Sequence, residues 1–207
     1  GFMMTDRLSS VPLKQIKITD PLFGEYSNLV SEKVIPYQWA ILNDRIDGAE
    51  PTHCIENFRI AAGDISGNRQ GVVFEDSDLY KWIQAASYAV ENGSGKKFIP
   101  DIDEAVDLII RSQEADGYIN TYFSLAQKGK RFTNLLEGHE LYCAGHLIEA
   151  AVAHHQATGK TTLLDAAVRF ADLISDTFGN SKNQINGYPG HQEIELALVK
   201  LYRETGK

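Results

Sequence analysis

With 207 residues, 43% of them hydrophobic and 23% charged, the chain has material for one substantial core or two small ones. Its formal net charge of −8 argues against a nucleic-acid partner, which would select a basic face. No apolar run reaches the length that a membrane span needs, and Gly1-Phe2-Met3-Met4 lacks the charged start and long apolar middle of a secretory leader, so the compartment stays open.

Taken in order, Val11 to Ile18 alternates weakly and reads as an edge strand or extended arm over residues 1–18. Thr19-Asp20-Pro21 is a helix start, a capping residue with proline in the first turn. The helix it opens should run to about Arg45, with Leu22, Tyr26, Leu29, Val30, Val34, Trp39 and Leu42 inward and a kink or split at Pro36. A loop covers Asp47 to Pro51, and a short helix over Ile55 to Ala62 ends at Gly63. Asp64 to Gly71 is a polar connection, and Glu75-Asp76-Ser77-Asp78 opens the next helix, which ends at Asn92-Gly93-Ser94-Gly95. The acids at its mouth suit the positive end of the helix dipole.

A further helix starts at Pro100 and ends near Asp116-Gly117. The aromatic run Tyr118-Ile119-Asn120-Thr121-Tyr122-Phe123 reads as extended. Its rings could wall a ligand or lie in the core beneath a loop. Lys128 to Lys130 is a basic, solvated loop. Then comes the central helix, from Leu136 to Thr158-Gly159-Lys160, with Leu141, Leu147, Ile148, Ala151 and Val152 at helical spacing and His139 at its mouth. After a helix over Thr162 to Phe178, the construction recurs: Gly190-His191 opens a helix that closes on Thr205-Gly206-Lys207.

Helices near 20–45, 100–116 and 162–178 therefore alternate with helices near 76–92, 139–158 and 191–205, and the second set begins with Asp76, His139 and His191. Such alternation winds a toroid of helical hairpins with one set lining the inside. A closed ring has about six pairs; residues 19–207 supply roughly three. Two imidazoles at helix starts that face one hollow could hold a sugar diol, because a neutral imidazole both donates and accepts. The plainer alternative is that each caps its helix or pairs with Glu140 or Glu193. Asp76 could border the cleft or cap its helix, and His146, His154 and His155 read as packing or surface residues. Cys54 and Cys143 form no CxxC pair and read as buried thiols.

Several words occur in a specific order: Val34-Ile35-Pro36-Tyr37-Gln38-Trp39 with Asn43-Asp44-Arg45, Ile55-Glu56-Asn57-Phe58-Arg59-Ile60-Ala61-Ala62-Gly63, Phe74-Glu75-Asp76-Ser77-Asp78, Asp116-Gly117-Tyr118-Ile119-Asn120-Thr121-Tyr122-Phe123, His139-Glu140-Leu141-Tyr142-Cys143-Ala144-Gly145-His146 and Pro189-Gly190-His191-Gln192-Glu193-Ile194-Glu195. Together they resemble the amino-terminal part of glycoside hydrolase family 127, the bacterial β-L-arabinofuranosidases. The resemblance implies an all-α (α/α)6 barrel, half of it here, and a retaining hydrolase of β-L-arabinofuranosides with a zinc-bound cysteine nucleophile and a glutamate acid/base. It implies that those groups lie downstream of Lys207, so that no catalytic or metal residue is expected in this chain and Cys54 and Cys143 are not zinc ligands. His139 and His191 resemble the family's sugar-contacting histidines, and Asp76 and Tyr122 are the further candidates for the sugar rim. Self-association through the open half-barrel is expected, with an arabinofuranoside or related glycan as ligand. The competing readings are a non-catalytic helical scaffold, and another (α/α)6 sugar hydrolase, such as an unsaturated glucuronyl hydrolase, using acids like Asp76.

Overall fold

The computed structural model describes residues 21–178 and 191–206. The arm proposed for residues 1–18 lies outside them. The described residues form helices only: α1 (Pro21–Leu29), continued through a π turn, Val30–Val34, into α2 (Ile35–Leu42); α3 (Cys54–Ala61); α4 (Asp76–Glu91); α5 (Ile99–Ser112); the four-residue α6 (Leu135–Gly138); α7 (Glu140–Thr158); α8 (Thr162–Phe178); and α9 (His191–Thr205). None of these helices is long and apolar enough to cross a membrane.

α7 is the axis of the packing. It lies along α4 on one side and α9 on the other, with α8 folded back against it. Its apolar stripe understates its burial. Leu141, Cys143, Ala144, Leu147, Ile148, Ala150, Ala151, Val152 and Ala153 are all buried, because three helices surround it and its small residues admit close approach. α5 and α8 pack against each other behind this layer, which gives the two-layered half-toroid. The fold is all-α, part of an (α/α)6 barrel.

As the expected pairing has it, α1–α2 packs on α4; the short α3 sits beside α5. Trp82 anchors the contact of α2 with α4: its ring lies 4.4 Å from that of Trp39, and its Nε1–H donates to the Ile35 carbonyl at 3.1 Å. The buried face of the first helix is rotated from the expected one. Ser31, Ile35, Trp39 and Leu42 point inward, while Tyr26, Leu29 and Val34 are exposed. The π turn preceding Pro36 inserts an extra residue per turn, which shifts the face by one position.

Two other boundaries move for local reasons. α5 stops at Ser112, four residues before the expected end, as Gln113 turns extended and its side-chain amide donates to the carbonyls of Gly117 and Ala166 at 2.9 Å each. The central helix does not run from Leu136: His139, with φ 51°, breaks it into α6 and α7. Gly138 is required there, since a Cβ would come within 2.9 Å of the Phe123 ring. The far end closes as expected on left-handed Gly159, φ 74°.

Candidate functional site

The mouths of α4 and α7 meet over the turn of residues 72–76. Phe74 leads into α4 and its ring lies edge-on to the His139 imidazole, 5.2 Å between centroids. His139, half-buried, precedes the first residue of α7; on its other side stands Tyr142, 6.2 Å away. Its side chain makes no capping hydrogen bond, and Glu140 does not pair with it. Among the described residues His139 thus has neither a cap bond nor a Glu140 pair.

Glu140 turns inward instead. One of its oxygens accepts from the Tyr118 hydroxyl, the other from the Phe132 backbone N–H at 2.8 Å. Burial pushes its pKa up, and the two hydrogen bonds pull against that. Tyr118 is held above its ordinary value by its own burial and by the Glu140 charge. Tyr118 and Phe123 are thus core, as the second of the two aromatic readings has it. The run does not form a strand: residues 118–120 carry no regular structure and Tyr122–Ala126 is a π turn.

Asp76 is 1% exposed. Its two oxygens accept from Thr121, one from the backbone N–H at 2.7 Å and one from the hydroxyl at 2.6 Å. Burial raises its pKa, opposed by those two bonds. Asp76 makes no N-cap bond; its carboxylate ties the start of α4 to the turn carrying Tyr122. Tyr122 is half-buried, with the Arg69 guanidinium over its ring at 5.2 Å. Arg69 also donates to the carbonyls of Gly71 and Val73, so one cation staples both loops. His191 begins α9, which packs on α7; its side chain lies outside the described residues.

The sequence did not single out Phe74, Arg69 or Glu75. Glu75 is buried, one of its oxygens finds no partner, and its pKa is pushed up to about 8, first by burial and then by Asp78. In the sequence it looks like one more acid at a helix mouth; only packing separates it from the half-buried Asp78. Beside these mouths a groove of about 490 Å³ runs between α2 and α4, bordered by Tyr37, Gln38, Asp78 and Lys81.

The metal chemistry of the family does not fit the cysteines present. Cys54 and Cys143 are free, buried thiols. Burial pushes both well above the ordinary thiol range, and each donates to a carbonyl of the same turn, Cys54 to Glu75 and Cys143 to Phe74. Elsewhere Asp44, His53 and Glu56 bring ligand atoms within 4.8 Å of one another. Asp44, however, already accepts from the Thr52 and His53 backbone N–H groups, and the site lies at the positive start of α3, which opposes a cation.

The described helices, in this order and packing, define an all-α protein of the (α/α)6-toroid class. The family model of the β-L-arabinofuranosidase GH127 catalytic domain matches residues 15–207, and the chain belongs to that family. It is 39% identical over 208 residues to the non-reducing end β-L-arabinofuranosidase of Bifidobacterium longum subsp. longum, covering 93% of this chain and 32% of that protein. The crystal structure of a GH127 β-L-arabinofuranosidase from Geobacillus stearothermophilus T6 superposes with a TM-score of 0.88 at 51% identity, over 92% of this chain and 30% of that one. The GH127 β-arabinofuranosidase BT3674 gives 0.82 at 36% identity, over 95% and 31%. The chain thus spans about a third of the length of these relatives.

Proposed function

We propose that this chain forms one wall of the sugar pocket of a β-L-arabinofuranosidase. The observation that carries the reading is His139: a half-buried imidazole at the mouth of the central helix, with no cap bond, between the rings of Phe74 and Tyr142. His139 and His191 would each give and take a hydrogen bond with neighbouring hydroxyls of a furanose. Tyr122 would form the rim, aimed by the Asp76–Thr121 bonds behind it. The names of the relatives supply the sugar, an L-arabinofuranoside.

The 207-residue chain is expected to release no arabinose from an aryl β-L-arabinofuranoside, since its cysteines are shielded thiols that donate rather than attack. Zinc-dependent release by the purified chain would overturn this. Binding is tested by chemical-shift mapping with methyl β-L-arabinofuranoside, a methyl glucoside serving as control. Shifts should centre on the mouths of α4, α7 and α9 and vanish in His139→Ala; equal response to both sugars would sink the reading.

The exposed side chains Tyr26, Leu29 and Tyr37 on α1–α2, and Leu196, Val199 and Tyr202 on α9, support self-association through the open faces of the half-barrel. Light scattering should show mass rising with concentration; a monomer at high concentration would count against it.

A further inference from the structure

The sugar-contact reading of His139 leaves open what aims the ring. Histidines that serve a ligand are usually oriented by a hydrogen bond from the second nitrogen to a carboxylate or carbonyl. His139 has none among the described residues, and its acidic neighbour Glu140 is occupied by Tyr118 and Phe132. Its surroundings are aromatic. Phe74 meets it at 5.2 Å and 68°, Tyr142 at 6.2 Å and 75°, both within the range of favourable edge-to-face pairs. Tyr142 is itself fixed, edge-on to His146 at 4.6 Å between centroids, with the Lys81 ammonium 5.3 Å from its ring centre.

Phe74 is pinned through its backbone. Its carbonyl accepts from the Ser77 N–H at 3.0 Å, the Ser77 hydroxyl at 2.7 Å and the Cys143 thiol at 3.8 Å. The next carbonyl, that of Glu75, accepts from the Cys54 thiol at 3.6 Å. So many donors on one turn hold a ring that is nevertheless 39% exposed, more than a residue kept only for the core would be.

Resting on the sugar-contact reading, we infer that Phe74 and Tyr142 bracket the His139 imidazole, fixing its orientation by ring edges rather than by a hydrogen bond. Phe74 and Tyr142 are positioning residues, and the two buried thiols set the bracket from behind. The arrangement has a chemical purpose. A ring held without spending a nitrogen keeps one donor and one acceptor for two hydroxyls of the guest.

The test is NMR of the 207-residue chain, reading the His139 ring protons and titrating methyl β-L-arabinofuranoside. In Phe74→Leu the ring-current displacement of those protons should shrink to the share left by Tyr142, and affinity should fall about three- to tenfold. Phe74→Tyr should restore both, which a purely structural role would not require. Tyr142→Leu, whose site is on the helix rather than the turn, is the second variant should Phe74→Leu misfold. Unchanged His139 shifts and unchanged affinity in a folded leucine variant overturn the inference. If the wild-type chain binds no arabinofuranoside, the sugar-contact reading falls, while the ring-current comparison still decides whether the bracket exists.

Discussion

Asp76 and His139 begin neighbouring helices of the same layer, yet they are opposite in kind. Asp76 is sealed, and both its oxygens are taken by Thr121. His139 is half open and held by two rings. The contrast teaches that a polar residue at a helix mouth is defined by what the adjoining loop offers it. The loop before α7 brings Thr121 to Asp76 and Tyr118 to Glu140, and both acids become parts of the fold. Among the described residues nothing of the sort reaches the imidazole.

The comparison is broken most severely at Asp76. Asp76→Ala leaves a buried N–H and a buried hydroxyl without their acceptor, and should cost about 3 kcal/mol in urea unfolding. A loss under 0.5 kcal/mol would mean that the two bonds do not hold the α4 mouth. Tyr118→Phe removes one of the two donors to Glu140 and should cost about 1–2 kcal/mol by the same assay. The burial of Glu140 makes this loss larger than that of an exposed pair.

Glu75 sharpens the comparison through pH. Its folded pKa of about 8 stands above the 4.5 of a free glutamate, so the folded state holds a proton that the unfolded state releases. Its contribution is fully present below about pH 4.5 and is lost as pH rises towards 8. Thermal unfolding followed from pH 5 to 8 should show a decline, and Glu75→Gln should flatten it. Arg69 on one side and Asp76 and Asp78 on the other are the charges that set the value, and equal slopes in both proteins would remove Glu75 from the account.

How much of this was legible beforehand follows the same division. The central helix and its left-handed end at Gly159 could be read because they depend on period and on local backbone chemistry. The sense of the first long helix's face could not, since the π turn at Val30–Val34 shifts the register without a sequence signature. At the site, the position of His139 was readable from its place before the helix, as was the burial of both thiols. The fate of Asp76 was not. It depends on Thr121, forty-five residues away in the chain, and periodicity carries no information about that pairing. Phe74 escaped notice for a similar reason, as its value lies in a ring on another helix.

The smallest expected effect on stability is at the imidazole. His139→Ala should change unfolding by no more than about 0.5 kcal/mol, because the ring is half exposed and carries no capping bond. The left-handed backbone there does not favour alanine, so His139→Asn is the gentler companion. A loss above 2 kcal/mol in both would make His139 a structural residue after all.

The central claim is that the starts of α7 and α9 face one guest. The direct measurement is a single titration of the chain with methyl β-L-arabinofuranoside, following the ring resonances of His139 and His191 together. The account predicts that both move and saturate along one curve, with one dissociation constant. Movement of one ring alone, or two curves with different midpoints, would contradict it.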